Sequence, residues 1–208
     1  MTLWLATNNA HKRAELAAIF AGFSLKTPQD AGIAGFCPAE TGSTFLENAL
    51  LKARALLAAL RERGIREPVI ADDSGLCVAA LGGRPGIFSA RYAGPGKTAA
   101  PGETLASAER NRRLLAEVGD APDRSAFFVC AMVLLRDEYR MAAAQETLRG
   151  RLVSRVEEAA GEGGFGYDPI LYLPEQGCTV AQLAEAEKNR LSHRGKAGRA
   201  LARFLAGA

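Results

Sequence analysis

Histidine is scarce in this chain, with two residues in 208, and the four cysteines (Cys37, Cys77, Cys130, Cys178) are widely scattered. Without a Cys-x-x-Cys pair, neither a zinc site nor a disulfide framework is expected. Cys77 and Cys130 lie in apolar runs, where a free thiol serves as a small core hydrophobe rather than a nucleophile. Long hydrophobic runs are also missing. The longest, Ala126 to Leu135, is about half of what a bilayer-spanning helix needs. The opening MTLWLATNN has no basic leader, apolar stretch or small-residue cleavage site, so no secretory signal is expected and the location reads as cytoplasmic. Nor is there an excess of one charge. Against 26 basic residues stand 23 acidic ones, a net +3, which argues against the concentrated basic face of a nucleic-acid binder. It leaves room for a pocket that takes a small polyanion. No G-x-x-x-x-G-K-[ST] loop occurs, so a Walker A phosphate site is excluded.

What is present is a series of short apolar segments joined by polar turns. Leu3-Trp4-Leu5-Ala6 reads as a buried strand, followed by a helix with Leu16, Ile19 and Phe20 on one face and closed by Gly22. Pro28 to Ser43 reads as loop. Thr44 and Glu47 form a capping box for a helix whose stripe is Leu46, Ala49, Leu50, Ala53, Leu57 and Leu60, stopped by Gly64. Asn48 and Lys52, four apart, share its polar face. Pro68 to Ala71 reads as a second buried strand running into an Asp72-Asp73-Ser74-Gly75 turn. Leu81 to Gly96 reads mostly as loop, and Glu103 to Val118 as helix. Ala126–Leu135 and Met141–Leu148 read as an antiparallel pair, and Arg151 to Val156 as a further strand. Thr179 with Gln182, and then Ser192, open two closing helices. The expected class is α/β with a mixed β-sheet, in a single domain over 1–208.

Five places have residues suited to chemistry. Asp72 and Asp73 at the end of a buried strand are costly unless something positive meets them, and a hard cation such as Mg²⁺ takes one or two protein carboxylates with phosphate and water completing its shell. A solvated Asp-Asp turn is the plain alternative. Glu40, just before the capped helix, either complements its dipole or supplies a second metal ligand. Thr7-Asn8-Asn9-Ala10-His11-Lys12 joins a strand to a helix, where free N–H groups and a lysine favour an anion, though ordinary capping would look alike. In Gly163 to Pro169, Phe165 and Tyr167 stand among glycines that let a flat base approach, and Asp168 can accept from a ring N–H. Lys188, His193 and Arg194 are donors that suit a keto oxygen.

Their order along the chain is more specific than any one of them. ATNNAHKRAEL, AETGSTFLENALLKA, IADDSGL, LGGRPGIFSARYAG, GGFGYDPI and AEKNRLSHRGKA together resemble the inosine triphosphate pyrophosphatase family, the Ham1-like nucleotide pyrophosphatases, from Thr7 to Lys196. The resemblance implies an elongated mixed sheet flanked by helices, two lobes with a central cleft, and a homodimer. It implies Mg²⁺-dependent hydrolysis of deaminated purine nucleoside triphosphates to monophosphate and pyrophosphate, with no nucleic-acid or membrane partner. On this likeness Thr7, Asn8, Asn9, Ala10, His11 and Lys12 hold the triphosphate, and Glu40 and Asp73 are the metal ligands. Asp73 is also the catalytic proton acceptor, with Asp72 in reserve, and Ser74 touches substrate. Phe165 stacks on the base, Gly166, Tyr167 and Asp168 line its pocket, and Lys188, His193 and Arg194 read its edge. Lys52 and Arg91 are further phosphate contacts. Gln182 and the Gln145-Glu146-Thr147 stretch depart from the usual pattern outside these positions. A Maf-like pyrophosphatase with another base preference and a non-catalytic nucleotide- or RNA-binding module are the alternatives.

Overall fold

The computed structural model describes residues 1–99 and 105–206. In chain order these form β1 (Thr2–Leu5), α1 (Ala10–Ile19), β2 (Ser24–Lys26), α2 (Phe45–Arg61), β3 (Val69–Val78), β4 (Tyr92–Gly94), β5 (Lys97–Thr98) and α3 (Ser107–Val118). Then follow β6 (Ser125–Leu135), β7 (Met141–Leu152), β8 (Leu171–Leu173), β9 (Cys178–Thr179), α4 (Glu185–Leu191) and α5 (His193–Ala206). The larger sheet has seven strands in the order β2-β1-β3-β6-β7-β8-β9. β1 runs parallel to β2 and β3, whereas β8 is antiparallel to β7 and β9. A mixed sheet with helices is therefore what forms. By contacts the chain divides into two units, residues 1–74, 130–146 and 191–208 in one and 75–129 and 147–190 in the other.

In the first unit the sheet is covered on both faces, because alternate side chains of a strand point opposite ways. Leu3, Leu5 and Ile70 pack with Leu16 and Phe20 of α1 and Ala197 and Leu201 of α5. Trp4, Val69 and Ala71 pack with Ala49, Ala53, Leu56, Leu57 and Leu60 of α2. Burying a leucine such as Leu56 contributes about 1.5–3 kcal/mol. The capping box on α2 forms as expected, with Thr44 accepting from the Glu47 N–H and Glu47 accepting from that of Thr44. Leu46 is 40 % exposed and Leu56 takes its place in the core. α1 and α5 approach closely: a Cβ on Gly198 would lie 2.6 Å from Ile19 Cγ2.

The second unit carries α3, with Leu114, Leu115 and Val118 buried, and the antiparallel β7-β8-β9. Arg124 is buried and donates to the carbonyls of Gly119, Leu152 and Val153.

Several boundaries differ from expectation. β3 is ten residues long and passes straight through Asp72-Asp73-Ser74-Gly75, so these residues make no turn. Sheet pairing and burial on both sides keep the segment extended despite its Gly and Ser. β7 continues to Leu152, taking in only the first two residues of the separate strand expected at 151–156, and the rest of that stretch is not strand. Thr179 and Gln182 do form a capping box, but it opens only a single 3-10 turn, Val180–Gln182. The helix expected from Glu103 begins at Ser107, while 103 and 104 lie outside the described residues. Ser192 accepts from the Gly195 N–H at the start of α5, as its sequence suggests. No helix among the described residues is long and apolar enough to cross a membrane.

All four cysteines are free. Cys37 is exposed and Cys130 is fully buried, where burial pushes its thiol up to about 12. Because the thiolate is the reacting species, a disulfide reagent at pH 8 is expected to modify Cys37 first and Cys130 only on unfolding. A native burst that survives serine at both Cys37 and the half-buried Cys178 would contradict this packing.

Candidate functional site

β3 sets out the acidic residues of the first unit. Asp72 has the parity of Ile70 and meets α1 and α5; Asp73 has the parity of Ala71 and meets α2. Asp72 Oδ2 accepts from Lys12 Nζ at 2.9 Å and from the Arg194 guanidinium at 3.3 Å. Arg194, 2 % exposed, also donates to Glu15 at 2.5 Å and to Ser74 Oγ at 2.7 Å. Burial alone would raise the Asp72 carboxyl, but Lys12, then Arg194 and Lys52, hold it well below the usual carboxylate range. Its Oδ1 is buried with no hydrogen-bond partner among the described residues.

Across the strand, Lys52 Nζ bridges Asp73 Oδ1 at 2.9 Å and Glu40 Oε1 at 2.7 Å. Asn48, one turn before Lys52 on α2, brings its Nδ2 to 3.5 Å from Asp73 Oδ2 and accepts from the Gly42 N–H through Oδ1. The pair thus faces inward, not to solvent as a polar helix face would suggest. Burial raises the Asp73 carboxyl above its ordinary value, against the pull of Lys52 and Lys12. Lys52 is raised too: burial works against it, and Asp73, Asp72 and Glu40 outweigh that. Each carboxylate therefore feels the lysine on the other's side.

The Thr7–Lys12 turn caps α1. Asn9 accepts from the Lys12 N–H, Thr7 Oγ1 from the Asn9 N–H, and Asn8 Nδ2 donates to the Phe36 carbonyl at 2.5 Å. Ala10 and His11 open the helix at its surface. The positive end of the helix dipole at this exposed terminus suits an anion.

In the second unit, the Gly163–Asp168 loop is tied by one buried ion pair. Asp168 Oδ2 accepts from Lys188 Nζ and from the Phe165 N–H, both at 2.8 Å. The Lys188 ammonium lies 5.4 Å from the Phe165 ring centroid, within cation–π range. Tyr167 is buried, with its hydroxyl donating to the Ser89 carbonyl at 3.0 Å, so it anchors the loop and offers no face for stacking. Phe165 is half-buried and keeps that role open. Ser89 in turn accepts from the Leu76 N–H and donates to the Gly86 carbonyl. Asn111 of α3 donates to the Gly166 carbonyl at 3.2 Å.

Glu40 and Asp73 meet at Lys52 and Lys12 meets Asp72 in the first unit, and Phe165, Asp168 and Lys188 meet in the other; sequence reasoning had grouped Lys188 with His193 and Arg194. It missed Glu15, Asn48 and Asn111. Asn48 alone had a signal, its spacing from Lys52. Arg91 lies over the Phe88 ring, 5.9 Å from its centroid. Arg194 belongs to the first unit, engaged with Glu15, Asp72 and Ser74. His193 is buried beside it at the start of α5. No group of three or more His, Cys, Asp or Glu is gathered as a metal cage among the described residues; Glu40 and Asp73 converge on Lys52.

The model of the Ham1 family matches residues 3–204. A dITP/XTP pyrophosphatase of Treponema denticola is 42 % identical over 207 residues, covering 100 % of both chains. One from Geobacillus kaustophilus is 47 % identical over 197 residues, covering 93 % of this chain and 88 % of its own. The Ham1 protein of Staphylococcus aureus superposes with a TM-score of 0.82 at 38 % identity, covering 100 % of this chain and 99 % of its own.

Proposed function

The chain belongs to the Ham1 family, and on that premise we propose that it hydrolyses deaminated purine nucleoside triphosphates to the monophosphate and pyrophosphate in a Mg²⁺-dependent reaction. It is a nucleoside-triphosphate pyrophosphatase, a hydrolase of acid anhydrides. The observation that carries the finer reading is Asp73: a buried carboxyl raised by burial, sharing a cation with Glu40.

That pair suits Mg²⁺. Two hard carboxylates already converge on one positive centre, and Asp73 remains under-compensated with Lys52 in place. A small protein donor set completed by phosphate oxygens is the habit of this ion. When bound by Glu40 and Asp73, Mg²⁺ would supply charge neutralisation at the phosphate.

The protein's own residues divide the remaining work. The α1 N–H groups and Lys12 orient the triphosphate and stabilise charge as it develops. Asp73 Oδ1 is taken by Lys52, whereas among the described residues Oδ2 has only the long Asn48 contact. Oδ2 is therefore positioned to take the proton of a water that attacks the α-phosphorus. The bond from that phosphorus to the bridging oxygen breaks, and pyrophosphate leaves. A carboxyl raised toward neutrality is the better base for this step. Arg194 braces Asp72 and Ser74, its donors being engaged there.

Base choice follows from a donor and acceptor set side by side next to Phe165. Lys188 donates and Asp168 accepts, which complements the C6 keto oxygen and N1–H of hypoxanthine or xanthine. Adenine would present an amino group to an ammonium and a bare N1 to a carboxylate, a mismatch that unpaired polar groups punish heavily. His193 is a further donor in this reading. As the resemblance implies, the enzyme works as a cytoplasmic homodimer; sedimentation as a monomer would remove that element.

The test is an assay of inosine, xanthosine, adenosine and guanosine triphosphates with and without Mg²⁺, measuring pyrophosphate and orthophosphate separately. Pyrophosphate release that favours inosine over adenosine triphosphate by about 10² or more, and that stops with EDTA, is expected. Orthophosphate as product, or equal rates with adenosine triphosphate, would overturn the proposal.

A further inference from the structure

Asn111 is out of place chemically. It sits on the buried face of α3 with Leu114, Leu115 and Val118 and is 4 % exposed. A polar amide there is unfavourable unless its groups are satisfied. Only half of it is. Nδ2 donates to the Gly166 carbonyl, and Oδ1 is buried without a hydrogen-bond partner among the described residues. A residue retained for stability alone would be better as leucine, since a half-satisfied buried amide is a poor contributor.

What the amide does is hold one peptide of the Phe165–Asp168 turn. Gly166 has φ +68°, in the left-handed region, so its carbonyl direction depends on a glycine with few intrinsic restraints. Next along α3, Arg110 donates to the carbonyls of Ala90 and Leu105 and lies 5.9 Å from the Tyr167 ring centroid. Arg110 and Asn111 thus grip consecutive residues of the turn from one side. Lys188 and the Asp168 carboxylate fix it from the other. Between these anchors stands Phe165, whose ring is half-buried.

The geometry points to Asn111 as a positioning residue for base recognition. Resting on the proposed function, it acts through the Gly166 carbonyl to set the orientation of Phe165 and Asp168, and does not touch the reacting phosphate. Its loss weakens purine binding and leaves the triphosphate residues of the first unit undisturbed.

The experiment compares wild type, Asn111→Leu and Asn111→Ser on inosine triphosphate, with inorganic tripolyphosphate as a competitive inhibitor that lacks a base. Asn111→Leu is expected to raise KM by about three- to tenfold, the range of one lost hydrogen bond, with kcat within twofold and the tripolyphosphate Ki unchanged. Asn111→Ser, which keeps a shorter donor, recovers part of the loss. An unchanged KM in the leucine variant would overturn the inference, as would a parallel rise in KM and Ki, which marks general damage. If wild type does not turn over inosine triphosphate at all, the proposed function fails instead, so the two failures are distinct.

Discussion

Asp73→Asn is expected to lower kcat for inosine triphosphate by about two to four orders of magnitude, the usual range for a positioned general base, with no loss of thermal stability. The two halves of that expectation have one cause. Burial raises the Asp73 carboxyl above its unfolded value, against Lys52 and Lys12. An acid whose folded pKa is raised costs the folded state stability at pH values above that pKa. The cost disappears as pH falls through the folded value towards the unfolded one. The neutral amide removes the cost at pH 7.5 and keeps the shape, so the variant should melt no lower than wild type there, and any advantage should shrink in acid. Lys52 retains Glu40 as partner. Turnover measurements and melting curves at two pH values check this. A fully active Asn variant would remove Asp73 from the mechanism, and a variant that melts well below wild type would show that its charge is needed for folding.

Gly164→Ala is expected to destabilise the protein by about 2–5 kcal/mol and to raise KM for inosine triphosphate about tenfold or more. Gly164 has φ +75°, and a Cβ there would lie 2.1 Å from Asp168 Oδ2 and 2.5 Å from Lys188 Nζ. The left-handed conformation alone costs about 1–2 kcal/mol for alanine, and forced overpacking adds about 1–3 kcal/mol. For a chain of this size the sum corresponds to a fall of roughly 4–20 °C in Tm. The methyl group cannot be accommodated without parting a buried ion pair, and a separated buried charge is unfavourable. The pair also holds the Phe165 N–H, so the defect should fall on base binding. Alanine at Gly166, where a Cβ meets nothing within 4 Å, would suffer the backbone term alone. Equal effects at the two glycines would refute the steric argument.

Much of the architecture was legible because it depends on local chemistry. Thr44 with Glu47, the apolar spacing along α2 and the β-branched and apolar run at Val69–Ala71 each specify an element from a few adjacent residues. The Asp-Asp step was read correctly as costly unless something positive meets it, since both carboxylates are buried against cations, and incorrectly as a turn. Gly75 and Ser74 permit a turn but do not require one, and neighbouring strands on both sides of β3 make extension the better solution. Among the side chains, Lys188 could be assigned as a donor by type, whereas its pairing with Asp168, twenty residues earlier, had no local signature. Arg194 is the clearest case of a role that type alone does not reveal. A guanidinium suits a purine edge and a carboxylate equally, and here Asp72 and Glu15 take it.

By itself, then, the order of residues specified which groups are chemically able to act: oxygen donors for a hard cation, N–H groups and lysine for phosphate, one aromatic for a base. Those properties belong to single side chains and short segments. The tertiary structure decided which of them meet. Strand alternation sends Asp72 to Lys12 and Arg194 and Asp73 to Lys52 and Glu40, and burial raises one carboxyl while lowering the other. Both effects depend on distance through space and exclusion of water, which residues far apart in the chain acquire only when it folds.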